Sequence, residues 1–590
     1  MSSLLRPGLV VVLILLVGGL APQSAHYAVA QQVDPPSTVL LPAWAELPDD
    51  DEPAGEGPWV VRATFDDPRK VAGLAAWTEP WEVDRETNTV VLMVDRAGYE
   101  RLLAAGFRVA VDPVRTAELT RPRTLFPNQT DGIPGYPCYG TVEETFTDTV
   151  EIVTQYPDLA TWIDVGDSWE KTEPGGLPGY DMMVLRLTQS AVAGPKPKLF
   201  IMSSVHAREY APAELNTRFA EYLVANYGVD ADVTWLLDYH EVHLMLQANP
   251  DGRKWAEEDD RWWRKNTNND YCSDTNSRGA DLNRNFEFQW NCCGGSSSSE
   301  CNDTYHGSGP ASEPETQAIQ AYLRSQFPDQ RAPDLTAAAP TTATGVFLDV
   351  HSYGEWVLWP WGFTSTIPAN GPALQTLGRK FAYFNGYEPA QAGIGFLYPT
   401  DGATDDFGYG DLGLAAYTFE IGTSFHQDCA SFESQILPDN LEALLYAAKV
   451  ARSPFLTPAG PDAVAVTVTP PVALPGGVVT LTATIDDGRY NNQNGAEPTQ
   501  PIAAAEYYVG VPPWVTTTTP ISHAMAAIDG AFDETVEEVV ATIDVSGLSR
   551  ERHIIFVRGQ DAAGNWGAVS ATWLEFGEPY YLPIVARNAP

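Results

Sequence analysis

Between Cys138 and about Pro454 the chain carries short apolar runs, "MMVLRLT", "PKLFIMSS", "HLMLQANP", "GVFLDVHS" and "AAYTFEIG", separated by stretches with helical spacing. Runs this short and this apolar read as buried strands. One of the helical stretches, "TVEETFTDTVEIVTQYP", opens on a capping box, Thr141 with Glu144, and its spacing places Phe146, Val150 and Val153 on one face. The alternation predicts an α/β fold, a mixed and mostly parallel sheet with helices on both faces. In open sheets of that kind, ligand sites form beyond the carboxyl ends of the strands.

Those strand ends carry chemistry. "PKLFIMSS" runs into "VHAREYAPAE", which holds His206 and Glu209 with Arg208 between them. A polar strand-to-helix turn accounts for that stretch, and so does half of a metal site. A His and a Glu three apart can face the same way, and both bind zinc readily. "VFLDVH" ends on His351 and "AYTFE" ends on Glu420. Two His and one carboxylate make a catalytic zinc set with an open fourth position. A further Glu that does not bind the metal suits a general base for a metal-activated water. Each residue alone is explained as a solvated strand end; together they point to one site. "HEVH" at 240–243 lies in strand alternation and lacks a helical frame, so it reads as a structural pair.

The flanks differ in texture. "MSSLLRPG", a short apolar core "LVVVLILLVGGLA" and the small-residue site in "AVAQQ" predict a signal peptide over 1–30 and an exported protein. Residues 31–57, rich in Pro, Asp and Glu, read as linker. Residues 58–115 read as a small α+β unit. "WVVRATF", "TNTVVLMVD" and "GFRVAVD" are its strands, and "RAGYERLLAAGF" is a helix with Tyr99, Leu102 and Leu103 on one face. Residues 116–135 break the pattern with Pro, Gly, Arg121 and Arg123 and read as a cleavable connection. The α/β unit occupies 136–455. Over 461–576, alternating strands between Gly, Pro and Asn turns predict an immunoglobulin-like β-sandwich, and 577–590 form a tail.

A net charge of −42 excludes nucleic acid as a partner, because phosphate binding needs a basic surface. It also argues against adhesion to anionic lipid and fits a solvated, self-repelling surface. Six Cys, at 138, 272, 292, 293, 301 and 429, fit an oxidising compartment. Sequence alone does not choose their pairing; adjacent Cys292 and Cys293 are expected in two different bridges.

Residues of about 130–455 resemble the zinc metallocarboxypeptidase family, the relatives of carboxypeptidases A, B and T. "HAREY", "NPDG", "RWWRKN", "DLNRNF", "TYHGSGPASEPETQA", "DVHSYGEWVLWPWG", "YPTDGATDD" and "YTFEIG" match its segments in order. The resemblance implies one zinc ion on His206, Glu209 and His351, Glu420 as general base, and Arg264 as the group that stabilises the oxyanion. It implies Asn283, Arg284 and Tyr398 as the clamp on the substrate's terminal carboxylate, and Arg208 as an outer-subsite residue. Asp405 sits where B-type relatives carry the Asp that binds a C-terminal Lys or Arg. Gly393, five residues before Tyr398, is expected to leave room for a long side chain, while Gly362 departs from the Ser of B-type members.

The implied protein is a secreted hydrolase that removes C-terminal residues from peptides, broad with a leaning to basic ones. Residues 58–115 then resemble the family's pro-segment, with an activating protease cutting at Arg121 or Arg123. Cys272 is expected to pair with Cys301 and Cys138 with Cys429. The sandwich is expected to contact a surface or glycan. The rival expectations are an inactive peptide-binding protein and a zinc amidohydrolase on the same fold. Intact zinc ligands and Glu420 argue against the first, and the "RWWRK" and "DLNRN" segments against the second.

Overall fold

A computed structural model describes residues 53–577 apart from 123, 259, 396, 397 and 517. The expected signal peptide, most of the 31–57 linker, Arg123 and nearly all of the tail lie outside the described residues. Strands β1 (Trp59–Thr64), β2 (Glu82–Asp84), β3 (Thr89–Val94) and β4 (Arg108–Val111) form a first antiparallel sheet, ordered β2–β3–β1–β4. Helix Arg96–Ala104 starts at Asp95, whose side chain accepts from the Gly98 N–H. It places Tyr99 and Leu102 in an apolar cluster with Val61, Leu92 and Phe107. Leu103, expected on that face, is 47% exposed. Helix Pro113–Leu119 runs across the boundary expected at 115.

The apolar runs of the sequence are the middle of an eight-stranded sheet. Its strands are β5 (Ala160–Asp167), β6 (Asp181–Leu187), β7 (Lys198–Ser203), β8 (Glu241–Met245), β9 (Val346–His351), β10 (Trp356–Trp359), β11 (Glu388–Gln391) and β12 (Ala415–Glu420), ordered β11–β10–β12–β9–β7–β8–β6–β5. β7 runs parallel to β8 and β9, β9 to β12, and β10 to β11; the other neighbours are antiparallel. The sheet is thus mixed and mostly parallel, as the alternation predicts. Every residue of β9 is buried, as a strand covered on both faces must be.

Helix Val142–Gln155 has the expected capping box, but its buried face is Val142, Thr145, Thr149 and Ile152. Val150, expected inside, is 50% exposed. The Thr145 and Thr149 hydroxyls donate to the carbonyls four residues back, at 2.9 and 2.8 Å. Their polar atoms are thereby satisfied and the side chains turn inward, which a count of apolar residues misses. In β8, His243 is held by Tyr322 at 2.7 Å and Glu241 at 3.0 Å, which gives the second histidine of "HEVH" a structural place.

Beyond Pro461, β13 (Asp462–Thr469), β15 (Val478–Asp486), β18 (Ala526–Ala527) and β19 (Val536–Asp544) make one sheet. A second holds β14 (Val472–Ala473), β16 (Ile502–Val509), β17 (His523–Ala524), β20 (His553–Asp561) and β21 (Ser570–Phe576). Leu481, Val539, Ile555 and Leu574 from the two sheets share one apolar core. This sandwich is docked on helix Gly371–Asn385. The Arg379 guanidinium donates to the carbonyls of Asn491, Gln493, Gly495 and Asn494 at 2.6–3.0 Å. Buried Lys380 meets Asp462 at 3.1 Å.

Cys138 pairs with Cys429 and Cys272 with Cys301, as the resemblance implies. Cys292 and Cys293 pair with each other, not in two different bridges. The other four cysteines close at Cα separations of 5.6 and 5.0 Å, which leaves these neighbours only one another.

Candidate active site

Register brings the expected residues together. β7 and β12 flank β9, so the turn after β7, the end of β9 and the end of β12 meet at one edge, with Glu420 directly across from His351. Ser204 turns the chain at φ 58°, after which His206 and Glu209 point back toward β9. His206 Nδ1 lies 2.7 Å from Glu209 Oε1, and His351 Nδ1 lies 3.1 Å from Glu209 Oε2 and 3.1 Å from His206 Nδ1. Among the described residues these three form the cluster whose ligating atoms, all within 4.8 Å of one another, could hold a metal ion.

The donor set fits zinc. Two imidazole nitrogens and one carboxylate are zinc ligands, and two nitrogens on one tetrahedral zinc lie roughly 3.3 Å apart. The remaining ring nitrogens are already committed. His206 Nε2 meets Asp281 at 3.2 Å and His351 Nε2 meets Asp349 at 2.8 Å. A carboxylate on Nε2 holds the proton there and leaves the Nδ1 lone pair directed at the metal position. Asp281 also accepts from Arg264, at 3.0 and 2.7 Å, and Asp349 accepts from the Thr404 hydroxyl at 2.6 Å. Burial alone would raise the Asp281 carboxyl, but Arg264 and His206 beside it hold it well below its ordinary value. Sequence reading did not single out either Asp. Asp349 was reachable, because it stands two residues before His351 and so shares its strand face.

Glu420 carries no such lock. Burial pushes its carboxyl up to about 8, with Glu209 and Asp349 adding to the effect and His351 and Arg264 opposing it. Arg264 and Arg208 are both buried, and both guanidiniums reach the carboxylate of Glu79 from the first sheet's unit. Burial, then the neighbouring Arg264, pull Arg208 down to about 10. Its guanidinium lies 4.2 Å from the Phe425 ring centroid.

Arg284 gives Nε to the Gly295 carbonyl at 2.9 Å and Nη1 to the Asn283 carbonyl at 2.7 Å. Asn283 accepts from the Thr404 N–H at 2.9 Å, and its amide lies 3.4 Å from His351 Nε2. Tyr398 packs into the apolar cluster of the first sheet's unit. Asp405 is 4% exposed; its Oδ1 accepts from the Asp406 N–H, while Oδ2 has no hydrogen-bond partner among the described residues. Burial pushes this carboxyl up to about 6. Gly393 lines a cavity of about 430 Å³ together with Phe363 and Tyr398, and on its other side it is tightly packed. A Cβ there would lie 2.3 Å from the Thr364 carbonyl oxygen, so close backbone packing requires the glycine.

The N-terminal unit covers this edge of the sheet. Trp81 stacks on Trp262 with centroids 5.5 Å apart, and Glu82 accepts from the Tyr353 hydroxyl at 2.9 Å. Trp262 Nε1 donates to the Leu119 carbonyl at 3.3 Å. No signal in the sequence pointed to Glu79.

Comparison with known proteins gives the same picture. A family model described as zinc carboxypeptidase matches residues 147–445. Carboxypeptidase B2 of Bos taurus is 30% identical over 356 residues, 58% of this chain and 77% of its own. Carboxypeptidase B of Astacus astacus is 31% identical over 298 residues, 49% and 88%. A zinc carboxypeptidase of Saccharothrix mutabilis subsp. capreolus is 32% identical over 296 residues, 49% and 62%. In fold, the chain is similar to the carboxypeptidase A of Helicoverpa armigera, with a TM-score of 0.53 at 20% identity over 67% of this chain and 98% of that one.

Proposed function

The chain belongs to the zinc carboxypeptidase family, peptide hydrolases with one catalytic zinc, and we propose that it is a secreted member that removes C-terminal residues with a preference for Lys and Arg. The observation that carries this reading is the meeting of His206, Glu209 and His351 beside Glu420. These three residues hold the zinc. A zinc ion held there would supply Lewis-acid chemistry, polarising a carbonyl and lowering the pKa of a water. The Glu420 carboxylate would take a proton from a water at that position and pass it to the leaving amine. Arg264 offers fixed positive charge to the carbonyl oxygen as negative charge develops there, a contribution of ~3 kcal/mol for one such donor. Asn283, Arg284 and Tyr398 grip the terminal carboxylate; a guanidinium suits that task because it donates in parallel pairs. Arg208 lies further out along the peptide. Asp405, with an unpaired buried oxygen, receives a cationic side chain.

Residues 58–115 act as a pro-segment. The bridging of Arg208 and Arg264 by Glu79, and the seating of Tyr398 in that unit's core, support this role. The 116–135 connection with Arg121 is the cleavage region for an activating protease. Secretion is supported by the expected signal peptide and by three disulfides. No described helix is long and apolar enough to cross a membrane.

The test is made after proteolytic release of the N-terminal segment. Chelation should abolish peptide hydrolysis and added zinc restore it. Glu420→Gln should keep one zinc per chain by metal analysis and lower kcat by about 10²–10⁴-fold. Full activity in metal-free protein would refute the reading, and wild-type turnover by Glu420→Gln would place the base elsewhere.

A further inference from the structure

A polar cavity of about 210 Å³ lies between the α/β unit and the C-terminal sandwich. His240, Lys449 and Arg452 line it from one side, and Trp514, Arg558 and Trp566 from the other. No Asp or Glu lines it, although the chain carries a net charge of −42. Three cations facing one cavity without a carboxylate in its wall is the reverse of the rest of the molecule.

Two of the cations are balanced from outside the cavity. Lys449 meets Asp232 at 2.6 Å, and Arg558 meets Glu506 at 2.6 Å. Arg452 has no carboxylate partner among the described residues. Its Nη2 reaches the Tyr239 carbonyl at 3.4 Å, its Nε has no partner, and its guanidinium lies 5.0 Å from the Trp514 ring centroid. Burial pulls it down to about 10, which still leaves it charged at neutral pH. Trp514 Nε1 and both ring nitrogens of His240 are likewise buried without a partner among the described residues. Burial and then Arg452 hold His240 well below its ordinary value, so the neutral ring offers one N–H.

Arg452 is half-buried, so its charge is costly without a counter-charge in proportion to that burial, and each buried donor left unbonded adds to the cost. An anion in the cavity would answer both costs. The guanidinium fork matches an oxyanion that presents paired oxygens. The aromatic walls and the small volume favour a compact ion over a peptide.

We propose that the cavity formed by Arg452, Lys449 and His240 of the α/β unit and by Trp514, Arg558 and Trp566 of the sandwich is a site for a small tetrahedral oxyanion, sulfate or phosphate. Bound there, the ion joins the two units and stabilises the chain by mass action. It takes no part in peptide hydrolysis.

The experiment titrates the full chain with sodium sulfate, and separately with sodium phosphate, by calorimetry in chloride buffer at constant ionic strength. One saturable site per chain is expected, with a Tm that rises and then levels off. Arg452→Met should weaken binding at least tenfold and remove the saturable part of the Tm rise, leaving kcat/KM towards a small peptide unchanged. Should Arg452→Met not fold, Arg452→Lys, which keeps the charge but not the fork, should still weaken binding several-fold. No saturable binding to wild-type protein overturns the proposal. So does a Tm that climbs without limit, since sulfate stabilises any protein that way through exclusion from its surface. Equal affinity in wild type and the Arg452 variants overturns it as well.

Discussion

Asp405 is the residue on which the proposed substrate preference turns. Its burial raises the carboxyl to about 6, and one oxygen has no hydrogen-bond partner among the described residues. A C-terminal Lys or Arg would supply the missing charge. Above about 6 the carboxylate form dominates, so kcat/KM for basic substrates should rise from about pH 5 to 7 by more than it does for C-terminal Leu or Phe. Asp405→Asn should remove that difference and lower turnover of basic substrates about tenfold or more. An equal loss on basic and apolar ends would show that Asp405 acts on folding alone. At this scale, the metal-site residues were legible because each stands at the end of an apolar run. Glu79 was not, because it acts across 129 residues of sequence on Arg208. Gly393 shows that a glycine can line a cavity and admit a neighbouring backbone at once, which sequence does not separate.

Elements were legible in existence and type, less so in facing. The five middle strands of the central sheet, β12, β9, β7, β8 and β6, came through because most of their residues are buried, whereas β5, β10 and β11 were not read and two helices slipped. Thr145 and Thr149 turned inward by bonding to their own helix, and Leu103 was left outside. The loop at Cys292–Gly295 was misread, because sequence separation says nothing of which thiols meet. Its placement has a functional consequence. Asp401 Oδ2 accepts from the Cys293 and Gly295 N–H groups at 2.9 and 3.1 Å, and the Gly295 carbonyl holds Arg284 Nε. The bridge between Cys292 and Cys293 therefore bears on the placement of Arg284, the proposed carboxylate clamp. A Cys292→Ser/Cys293→Ser double variant should raise KM several-fold with kcat little changed, because a carboxylate clamp serves ground state and transition state alike. A fall in kcat with KM constant would tie the loop to chemistry instead, and unchanged kinetics would detach it from Arg284.

At the scale of the whole molecule, the order of the units could be read from changes in texture, but their docking could not. Docking rests on contacts between residues far apart in sequence, such as Arg379 with the Asn491–Gly495 carbonyls or Trp81 with Trp262. The N-terminal unit lies against the residues assigned to chemistry, and it does so through charge and stacking together. Glu79 occupies both Arg264 and Arg208, and Trp81 and Glu82 hold Trp262 and Tyr353. A cut in the 116–135 connection breaks none of these contacts, so the proposed activation requires the unit to leave. Ile133 is fully buried in the core of the α/β unit, so a shortened chain that keeps this packing should begin near Asn128 rather than at Cys138. That chain should hydrolyse a small peptide at least about tenfold faster than the intact one. Glu79→Gln in the intact chain should recover part of the difference, because it weakens the hold on both Arg while leaving the Trp81 stack. Freshly nicked protein should stay slow until diluted or challenged with high salt, which weakens ion pairs. If intact, nicked and shortened chains are equally active, the N-terminal unit is no inhibitor, and Glu79 serves only to neutralise two buried cations.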